Sequence, residues 1–193
     1  MLGYHFTGDK LRDGRPIPTI GERLEHEGQI ELCVAGLHAS EDPFDALQYA
    51  PGSRLHKVEL EGDLVPHGNP ADKHVGRRRR ILASIDATEL LRGFSRWCAL
   101  QVIHLWDAPK VVREYLETGD ESKRAAAWDA ARAAAEKVAA EKAYAASAAA
   151  WAAAEKAVYA ASAARDASAA AGAAQRQEFR RRVNEAFTAG EPY

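Results

Sequence analysis

The sequence AAAWDAARAAAEKVAAEKAYAASAAAWAAAEKAVYAASAARDASAAAGAA occupies positions 125–174, and 30 of these residues are alanine. Alanine has the highest intrinsic helix propensity, and nothing before Gly172 in this stretch breaks a helix. The pattern predicts a long helix that runs to about residue 171 and a second helix over about residues 175–188. We therefore expect residues 120–193 to form an alanine-rich helical region that is distinct from the rest of the chain.

The few large side chains of this region recur at a spacing typical of helix–helix contacts. Tyr144, Trp151 and Val158 lie seven residues apart, and Trp128 lies on an adjacent row of the helix. A helix that left them in water would carry an apolar stripe, so we expect these four residues to form a helix interface. Three partners are open: another part of the same chain, a second copy that would make a homo-oligomer, or a different protein.

Residues 1–119 have a different composition. They contain all seven histidines, both cysteines and every proline except Pro192. Short apolar segments bounded by glycine and proline predict strands at residues 2–7, 29–34, 54–60 and 79–85, with a loop at residues 63–76.

Most of the predicted helices come after these strands along the chain. Pro43 suits the start of a short helix, while Pro109 and Gly119 suit the two ends of a later one. Between them, apolar side chains at a 3.6-residue spacing predict one helix with a buried face. That face consists of Leu90, Phe94, Trp97, Cys98, Val102 and Leu105. The predicted fold class is therefore α+β, with a small globular domain over residues 1–119 and long alanine-rich helices after it.

Charge and composition set several classes aside. The chain has 26 lysines and arginines against 28 acidic residues, a balance that does not favour nucleic-acid binding. Its first residues lack the basic and apolar pattern of a secretory signal, and no uncharged apolar run suits a membrane span. Cys33 and Cys98 are too few for a disulfide framework, so we expect free thiols and a cytoplasmic protein.

One run of charge stands out. Arg77, Arg78, Arg79 and Arg80 are consecutive. Such a run can bind an acidic protein surface or a few phosphates, and we take it as a candidate binding site. The alternative is a solvated strand edge whose charges prevent edge-to-edge pairing.

Sequence motifs of high specificity for catalysis or cofactors are missing. His67, Asp72 and His74 lie in one predicted loop, but they lack the ligand number and spacing of a zinc site, so no metal is expected. The chain also contains no phosphate-binding loop motif, no dinucleotide-binding glycine motif and no nucleophile-elbow motif.

Several segments resemble, in this order, a group of uncharacterised proteins of bacteriophages, prophages and bacterial genomes. The matching segments are GLHAS at 36–40, PFDALQYAPG at 43–52, KVELEGD at 57–63, DKHV at 72–75 and LWDAP at 105–109. Members often carry alanine-rich tails. The resemblance implies an accessory protein of a mobile element, acting inside a bacterial host cell, and it implies no mechanism.

Other segments resemble the ADP-ribosyltransferase fold. Those enzymes open with a histidine-bearing strand, where this chain has Tyr4-His5-Phe6-Thr7. The residues around His38 and Tyr49 stand where the later family motifs occur. The resemblance implies NAD as cofactor, His5, His38 and Tyr49 as candidate catalytic residues, and a glutamate that stabilises the developing cation. Glu59, Glu61 and Glu89 are the acidic candidates.

Two hypotheses follow. The leading one is a non-catalytic interaction module of phage or prophage origin that binds a host or phage protein and uses no cofactor. Interference with a bacterial defence complex is one task that fits this hypothesis. The alternative is an NAD-binding enzyme similar to ADP-ribosyltransferases, which requires His5, His38 and Tyr49 to line one pocket.

Overall fold

The computed structural model describes residues 1–136, 140–153 and 172–189. Its strands are β1 (Leu2–Thr7), β2 (Arg23–Glu25), β3 (Leu37–Ala39), β4 (Arg54–Glu61), β5 (Val65–His67), β6 (Lys73–Gly76) and β7 (Arg78–Asp86). Its helices are α1 (Pro43–Leu47), α2 (Thr88–Val102), α3 (Lys110–Thr118), α4 (Arg124–Ala135), α5 (Ala140–Ala152) and α6 (Gly172–Ala189). Strands dominate the first part and helices the rest, so the α+β class is confirmed.

Residue contacts divide the chain into two compact units. The first combines Met1–Ala87 with Phe179–Tyr193, and the second is Thr88–Glu178. The boundary predicted after residue 119 does not coincide with this division, because α2 and α3 pack with α4 and α5 in the second unit. The amino-acid composition changes after residue 119, but the packed helical unit already begins at Thr88.

The first unit contains two antiparallel sheets. The larger has the strand order β1-β4-β7-β2, and the smaller has the order β3-β6-β5. Residues that lie directly opposite each other in a sheet point to the same face. His5 pairs with His56 and His56 pairs with Ser84, so these three side chains form a row across β1, β4 and β7.

The same face of the larger sheet carries an apolar cluster. Val58, Leu60 and Ile81 are buried there together with Ala39 of β3. Polar and apolar positions therefore share one face of this sheet.

Two local predictions in the first unit are wrong. Residues 29–34 are not a strand, because the chain turns between Glu31 and Ala35, with a left-handed backbone at Cys33 (φ 65°). Residues 63–76 are not only a loop, because they contain β5 and β6. β6 pairs with β5 inside this segment and with β3, which lies far away in the sequence, so local periodicity could not show the second pairing.

The predicted second helix is confirmed as α6, and its residues from Phe179 onward belong to the first unit. The Phe179 ring packs edge-on against Phe44 at a centroid distance of 6.1 Å. Arg180 donates two hydrogen bonds to Oδ2 of Asp42, from Nε at 3.0 Å and from Nη2 at 2.6 Å.

Helices form the second unit. α4 and α5 pack against each other. In addition, α4 packs against α3, and α5 packs against α2. Their buried side chains are mainly alanines, joined by three larger residues of α3: Val112, Tyr115 and Leu116. The Tyr115 hydroxyl donates to the carbonyl of Ala152 at 3.3 Å, which fixes α3 to the end of α5.

The single long helix predicted for the alanine-rich region is wrong. A 3₁₀ turn over Glu121–Lys123 precedes α4, α4 ends at Ala135, and α5 begins at Ala140. Alanine side chains are small enough to let two helices approach closely, so two packed helices bury surface that one extended helix would leave in water.

The predicted helix interface is described in part. Trp128 is partly buried against the alanine-rich cluster of its own unit. The side chains of Tyr144 and Trp151, which belong to α5, and the whole of Val158 lie outside the described residues.

The predicted buried face of α2 is correct at its centre. Phe94 and Cys98 are fully buried, and Leu90, Trp97 and Val102 are partly buried. Leu105 is 48% exposed, because α2 ends at Val102 and a 3₁₀ turn carries Leu105 off the helical face. Among the described helices, none combines the length and apolar character needed to cross a bilayer.

Candidate functional site

The first unit contains a cavity of about 980 Å³. His5, His38 and Tyr49 all line it, although they come from β1, β3 and the segment after α1. This is the convergence that the NAD-binding hypothesis requires. Its volume is near the upper end of the range that small-molecule sites occupy, about 300–1,000 Å³.

Local structure holds each of these three residues in place. His5 lies within the six-residue ladder between β1 and β4. His38 pairs with Val75 of β6. Tyr49 follows α1, whose start is fixed by Asp42, which accepts a hydrogen bond from the backbone N–H of Phe44 at 2.9 Å.

Arg79 is the most buried cation of the cavity wall. Its side chain is only 5% exposed, and its Nη1 donates to the carbonyl oxygen of His38 at 2.7 Å. Its Nε is buried and has no hydrogen-bond partner among the described residues. Burial lowers the pKa of Arg79 to about 10, which still leaves it protonated at neutral pH.

Lys73 is a second buried cation on the same wall, at 7% exposure. Its Nζ lies 3.8 Å from the centroid of the Tyr49 ring, a cation–π contact. The same atom lies 3.3 Å from Sγ of Cys33, an exposed free cysteine that also lines the cavity.

The rim adds further positive charge. Lys10, Arg12 and Arg15 line the cavity, while Asp13 is the one acidic residue among the described lining residues. Asp13 is already paired with Arg15 at 2.7 Å. The cavity is therefore cationic, and in the described part of the chain neither Arg79 nor Lys73 has a carboxylate within ion-pair distance.

Two of the histidines that line the cavity, His5 and His38, are neutral at pH 7. Burial, reinforced by Arg79, holds the pKa of His5 well below its usual value. Burial and then the charges of Lys73 and Arg79 lower the pKa of His38 to about 4. A neutral imidazole offers one N–H donor and one acceptor, so both rings can hydrogen-bond a polar ligand without adding charge.

Tyr49 is anchored by a polar cluster at the edge of the cavity. Its hydroxyl donates to Oδ2 of Asp72 at 2.7 Å, and Nε2 of Gln48 donates to the same oxygen at 2.8 Å. Burial and then the Asp72 carboxylate raise the pKa of Tyr49. His67 contacts the other oxygen of Asp72 at 2.9 Å, so this carboxylate serves to orient side chains. Within the described ranges, no group of three or more histidine, cysteine or acidic side chains is arranged to hold a metal.

The arginine run does not form one exposed surface. Arg77 contacts Asp63 at 3.3 Å, Arg78 contacts Glu61 at 3.5 Å, and Arg80 contacts Glu59 at 2.5 Å. Arg79 points instead into the cavity. Strand alternation explains why Arg79 differs from Arg78 and Arg80, since successive residues of β7 face opposite sides of the sheet.

The glutamates proposed for catalysis lie elsewhere. Glu59 and Glu61 form the ion pairs just described, and Glu89 belongs to the second unit. No glutamate is among the described residues that line the cavity. Sequence reasoning missed Lys73. It placed successive arginines of a strand on opposite faces, but it kept Arg79 with its three neighbours as one candidate binding site.

Comparison with known proteins finds one similarity, which covers the first part of the chain. Residues 1–93 match the family described as a Domain of unknown function (DUF7666). No curated protein and no solved structure matches the chain. The matched segment includes all seven strands and every residue named above that lines the cavity.

Proposed function

We propose that the first unit is a small-molecule-binding domain whose ligand is a nucleotide, with NAD as the first candidate. The observation that carries the proposal is the convergence of His5, His38 and Tyr49 on one cavity of nucleotide size. Tyr49 offers an aromatic ring at the edge of the cavity, and the neutral imidazoles of His5 and His38 offer hydrogen bonds to sugar hydroxyls.

The arrangement favours binding over group transfer. Cleavage of the bond between nicotinamide and ribose builds positive charge on the sugar, which a carboxylate must stabilise. The described lining residues provide cations and neutral imidazoles at that place and only one carboxylate, Asp13, which Arg15 already neutralises. We therefore expect NAD to bind and to remain intact.

Thermal melting of the full chain with NAD, ADP-ribose and nicotinamide tests this proposal. NAD and ADP-ribose should raise the melting temperature, because a ligand that binds only the folded state stabilises it. His5→Asn and His38→Asn should each reduce the shift. His104→Asn is the matched control, since His104 is exposed and lies outside the cavity. Absence of a shift with every nucleotide would overturn the proposal, and release of free nicotinamide would show that the domain is a transferase after all.

The interaction-module hypothesis, with its phage origin and its host or phage partner, stays a separate proposal. Three of the four arginines on which it relied have acidic partners inside the first unit, so fewer free charges support it. We also keep the cytoplasm of a bacterial cell as the proposed location, which the two free thiols, Cys33 and Cys98, support.

A further inference from the structure

Arg79 carries a buried charge that the described residues do not balance. A guanidinium has five N–H donors, and the described residues accept a hydrogen bond from one atom, Nη1, through the neutral carbonyl of His38. Burying an ion without a counter-charge is costly, so such groups normally have an acidic partner. Its neighbours Arg78 and Arg80 are partly exposed and still have acidic partners, Glu61 and Glu59.

Lys73 is unbalanced in the same way. Its ammonium contacts an aromatic ring and a thiol, and no described carboxylate lies within ion-pair distance of it. Elsewhere in the first unit a buried charge is paired, as Asp42 is with Arg180. The two exceptions both line the cavity. His38 lines it too, and its buried Nε2 has no hydrogen-bond partner among the described residues.

We infer that Arg79 and Lys73 form an anion subsite that binds a phosphate or pyrophosphate group of the ligand. The planar guanidinium of Arg79 suits two parallel hydrogen bonds to phosphate oxygens, and Lys73 adds a point charge. Two fixed cations match the double charge of a phosphate better than the single charge of a carboxylate. The subsite adds a phosphate-binding element to the proposed function. Only the identity of the remaining part of the ligand rests on that function, because inorganic phosphate tests Arg79 and Lys73 directly.

Calorimetric titration of the full chain with inorganic phosphate and with pyrophosphate is the experiment. Both should bind, and Arg79→Met and Lys73→Met should each weaken binding by about tenfold or more, since hydrogen bonds to charged groups are lost. Arg80→Met is the matched control. It removes the next charge along β7, which faces away from the cavity, and should change phosphate affinity by less than about twofold.

Two further measurements separate a binding role from a structural one. A charge that is buried without a counter-charge has a desolvation cost that an apolar residue of similar size lacks, so ligand-free Arg79→Met should melt no lower than the wild type. Phosphate should also slow alkylation of Cys33, which lies beside Lys73, and should not do so in Arg79→Met. The buried Cys98 provides an unreactive internal reference in the same mass spectra.

The outcomes distinguish this inference from the proposed function. Phosphate binding that Arg79→Met and Lys73→Met leave unchanged, or no phosphate binding at all, overturns the subsite even if NAD binds. Phosphate binding that both variants weaken, in a protein that does not bind NAD, supports the subsite and overturns NAD as its ligand.

Discussion

His56 shows how a single residue can be polar, fully buried and still satisfied. Its Nε2 lies 2.9 Å from Oγ1 of Thr7, and its Nδ1 lies 2.6 Å from Oγ of Ser84. A hydroxyl can donate or accept, so a neutral imidazole satisfies both contacts, whichever nitrogen carries the proton. Burial, with the nearby charge of Arg79, lowers the pKa of His56 to about 4 from the usual 6.5.

Acid should therefore destabilise the first unit through His56. The unfolded chain takes up a proton near pH 6.5, but the folded chain does so only near pH 4. Above pH 6.5, His56 makes its full contribution to the free energy of unfolding. This contribution falls as the pH drops to about 4, by a total on the order of 3 kcal/mol. In urea titrations between pH 7 and 4.5, His56→Gln should show a flatter pH dependence than the wild type. Equal slopes would contradict the shifted pKa.

At the level of single elements, one carboxylate links α6 to the start of α1, beside the contact of Phe179 with Phe44. Asp42 caps α1 through the N–H of Phe44 and also accepts both hydrogen bonds from Arg180. Its side chain is only 7% exposed, so it depends on these partners for the hydrogen bonds that water would otherwise provide.

Removal of the cation should weaken the docking of α6. We expect Arg180→Gln to cost about 1–2 kcal/mol, below the value for a fully buried pair because Arg180 itself is half exposed. Arg181→Gln is the control, since Arg181 pairs with Glu185 on the exposed side of the same helix and should cost less than about 0.5 kcal/mol. Chemical denaturation of both variants measures the difference. Equal effects would mean that the Asp42 contact adds nothing.

The packed pair α4 and α5 leads to a prediction about size. Ala131 is fully buried, and a larger side chain there must push the helices apart. Ala131→Leu should lower the free energy of unfolding by about 1–3 kcal/mol, whereas Ala126→Leu, on the exposed face of the same helix, should be nearly neutral. Urea unfolding followed by tryptophan fluorescence reports this unit, because all four tryptophans lie in it.

Local sequence signals predicted those helices that begin at a proline or end at a glycine. Pro43 and Pro109 mark helix starts, and Gly119 ends α3 with a left-handed backbone (φ 70°). The strands β5 and β6 escaped prediction because they have only 3 and 4 residues, and because β6 lies between β5 and the distant β3. The cavity was anticipated for His5, His38 and Tyr49 by resemblance alone. Arg79 and Lys73 escaped notice because composition shows how many charges a chain has and not which ones become buried.

For the whole molecule, the division into units predicts which shortened protein will fold. Met1–Ala87 alone lacks the contacts that Phe179 and Arg180 supply to Phe44 and Asp42. We expect Met1–Ala87 joined by a flexible linker to Gly172–Ala189 to unfold cooperatively in circular dichroism. Met1–Ala87 without α6 should melt at a lower temperature and over a broader range. Identical melting of the two shortened proteins would show that α6 is dispensable to the first unit.

The first unit consists of two separate stretches of sequence, and this affects the order in which its parts are made on the ribosome. Thr88–Glu178 is synthesised after the sheets and before Phe179, which at ~5–20 residues per second takes roughly 5–20 s. During that interval the nascent chain holds Phe44 and Tyr4 without their aromatic partners Phe179 and Phe187. A chaperone that recognises exposed aromatic side chains thus has several seconds in which to bind the emerging polypeptide before α6 arrives to displace it.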